Sequence, residues 1–172
     1  MTTRVLISFY CDDRPGVIET LSAHIESHGG NWLDSQLTRL GGRFTGILQA
    51  QIPMAKQDRL AESLAALSAE GISATLTAAG ESPAAPSASR RITVLGPDRS
   101  GIVHEMTRAL RSAGFNIRSM KTSVETAPMS GEPLFRADAT IELLEGCRLD
   151  ELEWKLDAMA DAMTLEIDVL DA

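Results

Sequence analysis

Residues 13–18 read Asp-Arg-Pro-Gly-Val-Ile and residues 98–103 read Asp-Arg-Ser-Gly-Ile-Val, an offset of 85 positions. Carried outward, the same offset pairs Gly29 with Gly114, Asn31 with Asn116, Leu21 with Met106 and Ile25 with Leu110, without a gap. Self-similarity at a fixed spacing marks a duplicated structural unit. Between the copies, residues 80–89 (GESPAAPSAS) are Gly, Pro, Ser, Ala and one acid, a composition that cannot build a packed core. The expected organisation is one unit over 1–79, a linker over 80–89 and a second unit over 90–172.

Each copy reads strand, helix, strand, strand, helix, strand. In the first, Val5 to Cys11 is a strand, and Val17, Ile18, Leu21 and Ile25 fall on one face of a helix that stops at Gly29-Gly30. Gly41-Gly42 then joins two strands as a two-residue hairpin loop, where positive φ is needed for a primed turn. Phe44, Gly46, Leu48, Ala50 and Ile52 alternate with more polar residues, so one face of that strand should be buried. Leu60, Leu64 and Leu67 mark the second helix; Ile72, Ala74 and Leu76 mark the last strand.

The second copy keeps this order but lengthens its hairpin turn, residues 126–133, so that Phe135 stands 91 positions after Phe44. Leu149, Leu152, Leu156, Met159 and Met163 predict its second helix, and Leu165, Ile167 and Val169 its closing strand. The expected fold class is therefore α+β: two ferredoxin-like βαββαβ domains in tandem, each an antiparallel sheet with helices on one face.

The 172 residues are 44% hydrophobic, 23% charged and 4% aromatic, with 16 basic against 24 acidic side chains and a formal net charge of −8. That balance argues against direct contact with nucleic-acid phosphates. No apolar run is long enough to span a membrane, and the first residues lack a signal-peptide cleavage site, so a cytoplasmic protein with no membrane association is expected. From Glu142 onward ten acids face only Arg148 and Lys155, so the formal excess lies at the end of the second copy, as a solvated helix face or a docking surface. Cys11 and Cys147 are far apart in sequence and are expected to be reduced thiols.

The repeated motif falls where a strand ends and a helix begins. Helix N-terminal amides at Gly16 and Val17 could take a carboxylate, while Asp13 and the side-chain oxygen of Asn31 could take an ammonium group, a combination suited to a small zwitterion. Asp98, Gly101, Ile102 and Asn116 repeat the pattern. The alternative is that Asp13 and Asp98 cap their helices and the asparagines merely begin strands.

These motifs, with the Gly-Gly-Asn-Trp and Gly-Phe-Asn-Ile entries to the second strand of each copy, resemble tandem ACT domains, which are amino-acid-sensing regulatory modules. Asp-Asp-Arg-Pro-Gly at 12–16, Gly-Pro-Asp-Arg-Ser-Gly from Gly96 and Ser-Gly-Glu-Pro-Leu-Phe at 130–135 resemble more closely the glycine cleavage system transcriptional repressor family. The resemblance implies a regulator without its own DNA-binding domain that acts through a protein partner, such as a LysR-type activator, and responds to glycine. It implies a ligand site between modules using Asp13, Arg14, Pro15, Gly16, Val17 and Asn31, and Asp98, Arg99, Gly101, Ile102 and Asn116. A homodimer is compatible with it. Some serine-binding ACT domains carry a histidine where this chain has Cys11 and Gly96, so glycine or another small ligand fits at least as well.

Neither catalysis nor a cofactor is expected. Ser100, His104 and Asp98 could be arranged as a nucleophile system, but the first copy has Pro15 and Glu19 in place of the first two. His24 and His28 lack a third metal ligand in any known spacing, and no phosphate-binding glycine loop occurs. Trp154 lies off the Leu152–Leu156 stripe and points either to a contact with another surface or to a ring lying flat on its own. A different class of function is also compatible with these features: a structural or allosteric ACT module that assembles with a metabolic enzyme and binds no ligand itself.

Overall fold

A computed structural model of the chain describes residues 1–80, 89–128, 130–143 and 147–171. The chain divides into two compact units, Met1–Ser82 and Pro83–Ala172. Most of the expected linker, residues 81–88, and Met129 of the longer hairpin turn lie outside the described residues.

The first unit runs β1 (Thr2–Asp12), α1 (Val17–Ser27), β2 (Asn31–Leu40), β3 (Arg43–Pro53), α2 (Gln57–Ala66) and β4 (Ile72–Ala78), with short 3-10 turns at Met54–Lys56 and Leu67–Glu70. The second runs β5 (Ser89–Pro97), α3 (Ile102–Ser112), β6 (Phe115–Thr126), β7 (Pro133–Leu143), α4 (Leu149–Met163) and β8 (Glu166–Asp171). Their sheets are ordered β2-β3-β1-β4 and β6-β7-β5-β8, with antiparallel neighbours throughout. Each unit is thus the expected ferredoxin-like α+β sandwich.

Alternation along β1 buries Val5, Ile7, Phe9 and Cys11 beneath the helices, where they meet Val17, Leu21 and Ile25 of α1 and Leu60 and Leu64 of α2. The second unit builds its own core from Ile92, Val94, Met106, Leu110, Ala137, Ile141, Leu152 and Leu156. Gly41 and Gly42 both have positive φ, 57° and 75°, as a primed hairpin turn requires. The copies match in detail: a register irregularity lies between Trp32 and Asp34 in one and between Ile117 and Ser119 in the other, again 85 positions apart.

The copies diverge at Cys11 and Gly96. Cys11 buries its side chain, with its thiol against the Phe44 carbonyl at 3.6 Å, and burial pushes that thiol above its ordinary pKa. At Gly96 a Cβ would stand 2.6 Å from Leu165 Cδ2 and 2.8 Å from the Thr164 carbonyl oxygen. A backbone oxygen cannot yield as a flexible side chain can, so Gly96→Ala is expected to cost about 2 kcal/mol through overpacking, read as a lower denaturation midpoint with an unchanged slope. A midpoint within error of the parent would show that the end of α4 moves aside freely.

Candidate functional site

The two motif turns have the same construction. Gly16 and Gly101 sit immediately before α1 and α3 with φ of 94° and 99°, a left-handed conformation that L side chains resist. Their carbonyls accept the first helical bonds, from Thr20 N–H and Glu105 N–H, each at 2.9 Å. Among the described residues no side chain caps either helix, so the capping alternative for Asp13 and Asp98 fails and the first-turn amides are left uncapped.

An open cavity lies over each turn. The first, about 270 Å³, is lined by Asp13 to Glu19 together with Arg39 and Phe44. The second, about 620 Å³, is lined by Asp98, Arg99, Gly101 to His104 and Thr107 together with Val124 and Phe135. Most of the lining corresponds position for position. Arg39 matches Val124 at the offset of 85, Phe44 matches Phe135 at 91, and the part-exposed Ile18 and Val103 form the same apolar wall. Sequence reasoning did not place these hairpin residues in the site, although the repeat offset, applied to the far ends of β2 and β6, pairs Arg39 with Val124.

The substitution of Val124 for Arg39 separates the two sites chemically. Arg39 Nε reaches Asp13 at 3.2 Å, so a guanidinium from β2 already occupies the carboxylate. Asp98 has no ion-pair partner among the described residues.

Two expectations need correction or refinement. β2 runs in the same direction as β1, so its first residue lies at the opposite end of the sheet from the turn. Asn31 is level with Gln51 and through it with Arg4, while Asp12 is level with Arg43. At 3.4 Å per residue this separates Asn31 from the turn by roughly 27 Å. Asn116, level with Glu142 and Ser89, is displaced from its own turn in the same way. Neither asparagine joins the acid of its own unit, so the ammonium cradle expected of Asp13 with Asn31 does not form within one unit.

Arg14 and Arg99 line the cavities, but their guanidinium groups are engaged. Arg14 donates to the Glu70 carbonyl and Arg99 to the Met163 carbonyl. Arg14 thus ties its turn to the end of the 3-10 turn that follows α2, and Arg99 ties its own to the C-terminal end of α4, where carbonyls lack helical donors and attract a cation.

Ser100 and His104 share no hydrogen bond among the described residues, and both are exposed. His24 shares a 2.6 Å hydrogen bond with Ser63, and His28 contacts the His24 carbonyl at 2.7 Å. Among the described residues no three His, Cys, Asp or Glu side chains come together as a metal site, and no helix is long and apolar enough to cross a membrane.

A family model for the ACT domain matches residues 3–77. Residues 3–77 are an ACT domain. The second unit repeats its element order and sheet order, so the chain has a tandem ACT fold. The chain is similar over its whole length to the crystal structure of an unknown protein from Galdieria sulphuraria, with 26% identity and a TM-score of 0.86, covering 100% of this chain and 99% of that one. It shares the fold of a crystallised candidate glycine cleavage system transcriptional repressor, with 19% identity and a TM-score of 0.71, covering 98% of this chain and 96% of that one. None of the curated proteins compared matches the chain.

Proposed function

We infer that the chain is a non-catalytic, cytoplasmic regulator that senses a small amino acid, with glycine favoured, and acts through a protein partner. The observation that carries this reading is the pair of matched cavities, each placing an acid and an apolar wall beside an uncapped helix N-terminus. The amides following Gly101 are suited to a carboxylate and Asp98 to an ammonium group, and their place on one turn lining one cavity suits an α-amino acid with a minimal side chain. In the first unit Asp13, Pro15, Gly16 and Val17 form the equivalent set. Asn31 and Asn116 can serve a ligand only when they come from a different module than the turn that holds it, as the resemblance to ACT domains implies.

The motif resemblance to glycine cleavage system transcriptional repressors supports glycine as the signal and a transcription activator of the LysR type as the partner. The excess of acidic residues disfavours direct contact with DNA, so an effect on transcription passes through that partner. A thermal-shift series with glycine, alanine, serine and larger amino acids at millimolar concentration tests the reading. Glycine is expected to raise the melting temperature and bulky amino acids to leave it unchanged. No shift with any small amino acid would leave the turns as structural features and favour the assembly-module reading.

A further inference from the structure

A side-chain hydrogen bond crosses the seam between the two helices in each unit, and in the second an apolar groove runs along the seam as well. In the first unit His24 of α1 meets Ser63 of α2 at 2.6 Å and bridges the seam. Ala109 stands at the position matching His24 in the second unit, at the offset of 85. A groove of about 600 Å³ runs there between α3 and α4. Its floor is Ala109, Ala158, Met159 and Ala162, and its wall is Trp154, which is 69% exposed. Trp154, Ala158 and Ala162 follow one another at helical spacing, and their span of about 12 Å matches roughly two turns of a docked helix. The small alanine side chains would let such a helix approach closely.

Charge selects the occupant. The cations at the groove are already used: Arg108 pairs with Glu105 at 2.6 Å, and Lys155 pairs with Glu151 and donates to Ser112 at 2.7 Å. Asp150, Asp157 and Asp161, along the outer flank of Trp154, are exposed and have no ion-pair partner among the described residues. The uncompensated charge beside the apolar groove is therefore negative.

We propose that the α3–α4 groove of the second unit docks a cationic amphipathic helix of a partner protein, with apolar residues seated against Trp154 and Ala158 and Lys or Arg residues facing Asp157 and Asp161. This identifies the surface through which the proposed regulator would act, and it stands without the identity of the amino-acid ligand. The test titrates the full chain with a labelled 18-residue Leu/Lys amphipathic helical peptide and with its Leu/Glu counterpart, following anisotropy and tryptophan emission. The Leu/Lys peptide is expected to bind and shift the emission to the blue. Trp154→Ala should weaken binding by about tenfold or more, and Asp157→Lys with Asp161→Lys should reverse the preference toward the Leu/Glu peptide. All three positions are exposed, so the fold is retained, and unchanged melting curves check it. Absence of Leu/Lys binding, or binding indifferent to Trp154→Ala and to charge reversal, overturns the proposal. So does sedimentation showing a dimer of the parent chain that Trp154→Ala converts to monomer, because the occupant would then be a second copy. A failed glycine shift with intact peptide binding would sink the ligand reading and leave this one standing.

Discussion

Asp98→Asn is expected to abolish most of the glycine-induced rise in melting temperature, whereas Asp13→Asn should leave most of it in place. The two acids occupy equivalent positions, and the difference comes from their neighbours across the cavity. Arg39 holds Asp13 at 3.2 Å and supplies the positive charge that a ligand ammonium would bring. Val124 leaves Asp98 without such a partner, over a cavity more than twice as large. A hydrogen bond between charged groups is worth about 2 kcal/mol, so its loss at Asp98 should weaken glycine by roughly thirtyfold. The converse variant, Arg39→Val, removes the competing guanidinium and should add a second glycine equivalent in calorimetric titration. A glycine shift retained by Asp98→Asn and lost in Asp13→Asn would assign the working site to the first unit and reverse this account.

The second large effect is on stability. Leu21 of α1 is fully buried within the first core, and Leu21→Ala should cost about 3 kcal/mol through lost transfer energy and an unfilled cavity. For a unit of this size that lowers the melting transition by roughly 12–24 °C. The second unit has a core of its own, so calorimetry should show a split trace in which only one transition moves. Met106→Ala, at the matching fully buried position, should move the other transition instead. A single transition that shifts as a whole in both variants would show that the units unfold together.

The fold could be read from the chain because its signals were local and doubled. Leu21 and Ile25, the alternation from Phe44 to Ile52, and Gly41-Gly42 each fix an element from a few neighbouring residues, and the second copy repeats nearly every one. The site was harder because it depends on strand direction and on partners distant in sequence. Asn31 is near α1 in sequence, but a chain that has run down a helix begins its next strand at the far end of the sheet. Arg39 reaches Asp13 from the other end of β2, and no short motif connects the two. Arg14 and Arg99 belong to the motif and line the cavities, yet their guanidinium groups are taken by carbonyls 56 and 64 positions further along. The exposure of Trp154 follows from its place off the apolar stripe, but the groove beside it is lined in part by another helix, with Ala109 where the first unit has His24.

Met163 belongs to both proposed surfaces of the second unit. Its carbonyl is held by Arg99 from the motif turn, its methyl carbon lies 4.0 Å from where a Cβ on Gly101 would stand, and its side chain lines the α3–α4 groove. Were a change in the geometry of the turn carried across that residue to the groove, the two sites would be coupled. Linkage then makes the influence reciprocal: whatever factor the amino acid imposes on the partner's dissociation constant, the partner imposes on the amino acid's. The concentration at which the chain registers its ligand would accordingly depend on how much partner is present.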